Sequence, residues 1–547
     1  MIATGNNSDK ARERYSRLTL LTSLFIWVLV CSVFIRHQNL IAPEPAVYLQ
    51  SALFTLQGQR PNVDFILTDW PSTILTALPA AALSPRSWLL PAFNLFALIF
   101  SLGSIALVAK LLLPLRHHLQ WHYFPPLILS LSLANAFLIF QIGQPQYFAF
   151  FAVIPYLIVR WLSYQNITSQ KYLSIASGLF ASIGLLLCPF AFTAPLFVEL
   201  YLLANFRRRT RIFCGETVTL LAATTAYLCL FLIFSGADQK QNFLSIALPL
   251  MSVDWQFIDF TSRSKIDVPD RRDLLILGGL FFLGAPLISR RFSFFVPQLL
   301  LFISGFFALI VEQNGLSRNC ILMTGSLCML SASTIAFVIQ LARRLGKKHS
   351  IASVQNRHIW LPASFLLPVI LSTLIIVQCE TKIAPPLWKE TDGTIEPLQA
   401  VLAKHSKPGD QICFFQRSTF PEYPTLLELN SFGASALLTP GSALANDRAL
   451  PNLSTKDVEQ TTNLDARIGA MCKAAFIAKP PDIAVIEQGA MQTKLTSWGI
   501  QALLARDYTP IGTYQSIDRN AEPHETIGPK QQLILYRRNA LAKPSVK

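Results

Sequence analysis

Three acids stand close together in His37–Pro71, HQNLIAPEPAVYLQSALFTLQGQRPNVDFILTDWP, a proline-rich stretch that follows directly on a long apolar run. They are Glu44, Asp64 and Asp69, interleaved with Tyr48, Arg60 and His37. A carboxylate can accept a proton from a weak nucleophile or share its oxygens with a cation. In a chain that is mostly lipid-soluble, acids just outside a first helix point to chemistry at a membrane surface. A solvated turn carboxylate between two prolines accounts for Glu44 equally well at this stage.

The elements that must position these residues are hydrophobic. The chain has 547 residues, 52% hydrophobic and 14% charged, with a mean hydropathy of +0.42. That composition excludes an ordinary soluble multidomain protein. About twenty residues at a rise of about 1.5 Å cross a hydrocarbon core. On that measure about eleven spans are expected, near 18–36, 88–113, 124–140, 146–162, 172–188, 190–206, 213–235, 273–289, 292–311, 320–341 and 359–378. A shorter run at 72–83 is expected to dip into the interface or lie along it.

Cytoplasmic loops retain Lys and Arg, which sets the orientation. A cytoplasmic start puts Arg12, Arg14 and Arg17 inside. Alternation then adds Arg116, Arg160 with Lys171, Arg207–Arg209 with Arg211, Arg290 with Arg291, and Arg343, Arg344, Lys347 and Lys348. The turns Gln141–Gln146 and Cys188–Pro195, outside on this count, carry no Lys or Arg. The first apolar run lacks a small-residue cleavage pattern after it and is expected to stay as a signal anchor.

An odd number of spans leaves the tail outside. The expected organisation is a cytoplasmic segment 1–17, a transmembrane domain 18–379 with outer loops 37–71 and 236–272, and an extracytoplasmic domain 380–547. Residues 380–547 carry 18 Lys and Arg against 17 Asp and Glu, so nearly all of the formal +15 belongs to the membrane part. The basic balance therefore reports topology and contact with anionic headgroups, not nucleic acid. The tail reads as a small α/β unit: a helical pattern at 394–405, strands at Gln411–Phe415, Ile483–Ile486 and Leu533–Tyr536, and no phosphate loop or nucleophile elbow. Cys413 and Cys472 could pair there, although no spacing favours a bridge, and no cysteines have zinc-ligand spacing. In the outer loop 236–272, the section Asn242–Phe260 suits a helix lying in the interface, either a lid or a plain connection. The fold class expected is mainly α: a polytopic helical bundle with a C-terminal extracytoplasmic α/β domain.

This order of features resembles the GT-C superfamily of integral membrane glycosyltransferases, in particular its bacterial protein-mannosyltransferase and aminoarabinose-transferase-like branches. The likeness rests on Glu44, then Ala46-Val47-Tyr48-Leu49, Gly58, Pro61, Asp64 and Trp70-Pro71, and on the layout of the Gly143-Gln144 turn, the Pro189 turn and the outer C-terminal domain. Where many members have Asp-Glu, this chain has Pro43-Glu44.

The resemblance implies transfer of a sugar from a polyprenyl-phosphate carrier to an extracytoplasmic acceptor (glycan, lipid or protein) with inversion. Glu44 would be the base and Asp64 the second acid, orienting the acceptor or holding a divalent cation, with Asp69 next in line. Two acids without further ligands do not define a metal site. Arg318, at the start of the tenth span, would face the departing phosphate, with Arg60 and His37 as alternatives. Gln144 would hydrogen-bond sugar hydroxyls, and Tyr48 belongs to the same substrate-binding set. The implied location is a bacterial plasma membrane. The rival readings are a polysaccharide polymerase or ligase of the cell envelope and a non-catalytic transport or assembly protein. Transport usually places ionisable groups within spans, and Glu199 is the clearest here.

Overall fold

Long apolar runs become helices because no other open structure satisfies the backbone in lipid. In the computed structural model the described residues are 4–36, 43–113, 124–205, 214–249, 295–312, 321–330, 398–416, 455–516 and 531–539, with short gaps at 68, 86–87, 165–166, 168–169 and 408, and isolated positions at 370, 373–374, 426 and 432–433. The chain forms two compact units: 1–40, 94–229 and 266–383 make the first; 41–93, 230–265 and 384–547 make the second.

The helices in chain order are α1 (Thr4–Arg36), α2 (Pro43–Leu56), α3 (Ile74–Leu83), α4 (Leu89–Leu112), α5 (Phe124–Phe137), α6 (Pro145–Tyr164), α7 (Lys171–Leu187), α8 (Thr193–Asn205), α9 (Gly215–Phe234) and α10 (Ala237–Asn242). They continue with α11 (Phe295–Glu312) and α12 (Ile321–Leu330). Among the described residues, four helices are long and apolar enough to cross a membrane: Glu13–Val33 within α1, Leu89–Leu112, Pro145–Ser163 within α6, and Gly215–Phe234. The expected spans at 273–289 and in the second half of 320–341 lie outside the described residues, as does nearly all of 359–378. Helix α3, led in by a 3-10 turn at Pro71–Thr73, is too short to span and packs against α2.

Small residues set the close crossings of the first unit. A Cβ at Gly184 of α7 would stand 2.9 Å from the Ala152 side chain of α6, so only glycine lets these backbones approach so closely. A Gly184→Leu variant is expected to separate α6 from α7 and lower the thermal midpoint of the solubilised protein by several degrees, read by differential scanning fluorimetry. Across α1 and α5, the hydroxyls of Ser23 and Ser132 are 2.5 Å apart.

Arg160, counted with the cytoplasmic cations near the end of the span at 146–162, is buried within α6. It is 2% exposed, and its guanidinium donates twice to Glu199 at 2.6 Å and once to Glu216 at 3.3 Å, joining α6, α8 and α9. The Tyr156 hydroxyl donates to the same Glu199 at 2.8 Å. Two acids on neighbouring helices drew it inward, and neither is near Arg160 in sequence.

The second unit holds a mixed five-stranded sheet of β1 (Gln411–Phe415), β2 (Phe432–Gly433), β3 (Ile483–Glu487), β4 (Tyr508–Ser516) and β5 (Gln531–Arg538). The order is β2-β1-β3-β5-β4. Strands β2, β1 and β3 are parallel, with Cys413 opposite Ala484 and Phe415 opposite Ile486; β5 runs antiparallel to β3 and β4. Helices α13 (Leu398–His405), α14 (Thr455–Ala478), α15 (Ala490–Ser497) and α16 (Ile500–Asp507) complete it.

One core cluster joins Cys413, Phe415, Ala484 and Ile486 to Ile468, Cys472 and Phe476 of α14, and to Met491, Leu495 and Trp498. Cys413 and Cys472 are both thiols within it, not halves of a bridge, and burial pushes the Cys472 thiol up to about 12. The same cluster takes in Phe243, Ile246 and Ala247, from a π-helical turn after α10, and Ile66 from the segment between α2 and α3. The described start of the section expected to lie in the interface is thus packed into a protein core; 250–260 lie outside the described residues.

Candidate active site

The acid-bearing segment is half helix. Pro43 and Pro45 fall in the first turn of α2, where a missing N–H costs no intrahelical bond, and the run from Ala46 to Leu56 then continues the helix. The expectation of a loop through 37–71 is therefore corrected over Pro43–Leu56: Glu44 sits in a helical first turn. Glu44 and Tyr48 are four residues apart, so they share one face of α2. The Glu44 side chain lies outside the described set.

Tyr48 is 1% exposed, and its hydroxyl donates to Asp69 Oδ2 at 2.9 Å. This bond ties the middle of α2 to the end of the turn that follows. That turn reverses through Gly58 (φ 83°) and Asn62 (φ 61°), the one non-glycine residue with positive φ among the described residues. Asn62 N–H donates to Phe65 O at 2.6 Å, and the rings of Phe54 and Phe65 lie 5.4 Å apart. Asn tolerates the left-handed region better than other side chains, which suits it to this corner.

Asp64 is taken up by the same turn. Its Oδ2 accepts the Arg60 N–H at 2.7 Å and stands 3.9 Å from Arg60 Nε, with both side chains exposed. An exposed pair of this kind contributes little energy; its effect is to fix the turn. The structure thus brings Tyr48 together with Asp69 and turns Asp64 and Arg60 toward each other. Below Asp69, Ile66 is buried in the sheet-domain cluster and Trp70 packs against it, 6.0 Å from the Phe243 ring. Sequence reading missed both supports, since a lone Ile and a Trp beside a proline carry no signal for a partner more than 170 residues away.

In the first unit, Gln144 precedes α6 after Gly143 (φ 89°). It is 3% exposed, and its side-chain oxygen has no partner among the described residues. His37 and Arg318 lie outside the described residues. No group of three His, Cys, Asp or Glu side chains that could hold a metal occurs among the described residues.

The described residues combine membrane-length helices, an acid-bearing segment after the first of them and a small mixed-sheet domain. Structural comparison finds a shared fold over nearly the whole chain. The crystal structure of ArnT from Cupriavidus metallidurans bound to undecaprenyl phosphate is similar over 96% of this chain and 98% of its own, at a TM-score of 0.52 and 11% identity. The same enzyme in the apo state gives 0.49 at 12% identity over the same shares of the two chains. The Archaeoglobus fulgidus oligosaccharyltransferase tethered to an acceptor peptide gives 0.44 at 11% identity, covering 95% of this chain and 74% of its own. At such identities the likeness is one of fold. No family model matches the sequence, and no curated protein does.

Proposed function

We propose that this protein is a membrane glycosyltransferase that moves a sugar from a polyprenyl-phosphate carrier to a hydroxyl or amine on the outer side of a bacterial plasma membrane. The observation that carries this reading is the fold shared, end to end, with an enzyme crystallised with undecaprenyl phosphate. The helix-borne Glu44 and the Tyr48–Asp69 pair on the first outer segment add to it. Glu199 offers less to a transport mechanism than its position in a span suggests, because Arg160 holds it at both oxygens.

In the proposed reaction Glu44 accepts the acceptor's proton as the acceptor oxygen or nitrogen bonds to the anomeric carbon. The bond from that carbon to the phosphate oxygen breaks on the opposite face, its electron pair leaves with the polyprenyl phosphate, and the centre inverts. Asp69, held by Tyr48, orients the acceptor, a role for which Asp64 is less suited because it is engaged with Arg60. Arg318 remains the proposed cation for the leaving phosphate, and Gln144 the proposed donor-sugar contact. The N-terminus is placed in the cytoplasm and the sheet domain outside.

The test is reconstitution in proteoliposomes with a radiolabelled polyprenyl-phosphate sugar and an envelope-lipid extract as acceptor. Label moving out of the carrier, with polyprenyl phosphate released, supports the proposal. Vectorial uptake without glycosyl transfer would replace it with transport.

Tyr48→Phe tests the arrangement more finely. A hydrogen bond to a carboxylate contributes about 1.5–3 kcal/mol, so turnover is expected to fall roughly 10–100-fold. The KM for the lipid donor should stay near its wild-type value. Unchanged turnover would mean that the bond to Asp69 only stiffens the turn.

A further inference from the structure

The sheet domain carries a polar feature that the proposed chemistry leaves unused. Gln416 directly follows β1, is 0% exposed, and neither its side-chain oxygen nor its nitrogen has a hydrogen-bond partner among the described residues. A buried amide with no partner is uncommon in a folded protein and calls for a ligand or a water.

Its location narrows the choice. Successive residues of a strand alternate between faces. Cys413, Phe415, Ala484 and Ile486 face the cluster formed with α14 and α15, so Ile412, Phe414, Ile483, Val485 and Glu487 face the other way. The register pairs Phe415 with Ile486, and one step further it places Gln416 beside Glu487 on that second face. Both lie at the carboxyl ends of adjacent parallel strands. The sheet order puts β2 on one side of β1 and β3 on the other, so the strand order reverses between β1 and β3, and such a switch point is where open α/β sheets bind ligands. After Glu487, Gly489 turns the chain into α15 with φ 93°, and a Cβ built on it would meet nothing within 4 Å.

We infer that Gln416 and Glu487, at the carboxyl edge of β1 and β3, form a binding site for a neutral polyhydroxylated group, a sugar ring presenting adjacent hydroxyls. A carboxamide offers an acceptor and two donors, and the neighbouring carboxyl offers further acceptor oxygens. Vicinal hydroxyls both donate and accept, so they satisfy the orphaned amide and use the remaining acceptor capacity of the carboxyl. An anion meets the acidic Glu487, a cation meets the amide N–H groups, and an apolar group leaves the amide orphaned. Naming this sugar as part of the acceptor rests on the proposed glycosyltransferase function; the site itself does not.

The experiment uses the full-length protein in nanodiscs, with a panel of methyl hexopyranosides as probes in saturation-transfer NMR. The wild type is expected to show transfer to at least one glycoside. Gln416→Leu should weaken it at least about tenfold while raising the thermal midpoint by about 2 °C or more, because an orphaned amide has been removed. Gln416→Asn, which keeps the amide but shortens its reach, should lose binding without that rise. No transfer to any glycoside in the wild type, undiminished binding in Gln416→Leu, or a midpoint in that variant that falls or stays level each overturns the site, the last because the amide then holds only a structural water. In a sugar-transfer assay the same variant should raise the acceptor KM and leave kcat near wild type. Glycoside binding by a protein that transfers no sugar would sink the proposed function and leave this site standing.

Discussion

Glu44→Gln, reconstituted with lipid-linked sugar donor, is expected to lower turnover by about 10²–10⁴-fold, the usual contribution of a general base. The substitution keeps the shape of the side chain and removes only its ability to take up a proton. Glu44 lies in the first turn of α2, where a negative charge near a helix N-terminus is favourable by about 0.3–1 kcal/mol. Membrane insertion and the thermal midpoint should therefore stay close to wild type, which separates a chemical defect from a folding one. Turnover within about threefold of wild type, an effect of roughly 0.7 kcal/mol, would remove Glu44 as the base. Asp69→Asn would then be the informative variant, because Asp69 is the acid that the buried Tyr48 holds.

Arg160→Met should have the largest effect on stability. The guanidinium is met by Glu199 at two oxygens and by Glu216 at a third, all inside the helical unit. Removing one member of such a buried set costs about 3–5 kcal/mol, because the partners keep their desolvation without their counter-charge. The variant is expected to express poorly and to unfold well below the wild type in a detergent melt. Combining it with Glu199→Gln and Glu216→Gln should restore most of the loss. A single variant as stable as the wild type would show that the network contributes no stability.

Sequence pattern made some of this legible and hid the rest for identifiable reasons. Strands β1, β3 and part of β5 stand out as short apolar runs between turn residues, and they form where those runs are. Strand β4 did not stand out, because Tyr508–Ser516 is polar, contains Pro510 and Gly512, and pairs through a bulge between them at the sheet edge. Among the described helices, the four of membrane-spanning length, in α1, α4, α6 and α9, were readable from their apolar runs. The one that begins at Pro43 was not, since two prolines signal a loop unless they fall in a first turn. At the site, the acids could be found by type, but their ranking could not. Asp64 and Asp69 look alike in sequence, and they differ because one closes a turn with Arg60 while the other meets a hydroxyl from α2. The burial of Arg160 was hidden for the same reason: counting charges along the chain cannot reveal partners on other helices.

The burial of Ile66 among residues of the sheet domain has a temporal side. The turn that carries Asp64 and Asp69 is synthesised early, yet its supports, from Cys413 to Tyr508, come up to about 440 residues later. At about 5–20 residues per second the ribosome needs roughly 20–90 s to supply them. A nascent chain therefore holds its acids without the surface that seats them. The proposed sugar transfer is therefore expected to begin only when translation is nearly finished, and a chain truncated before β3 is expected to be inserted in the membrane yet inactive.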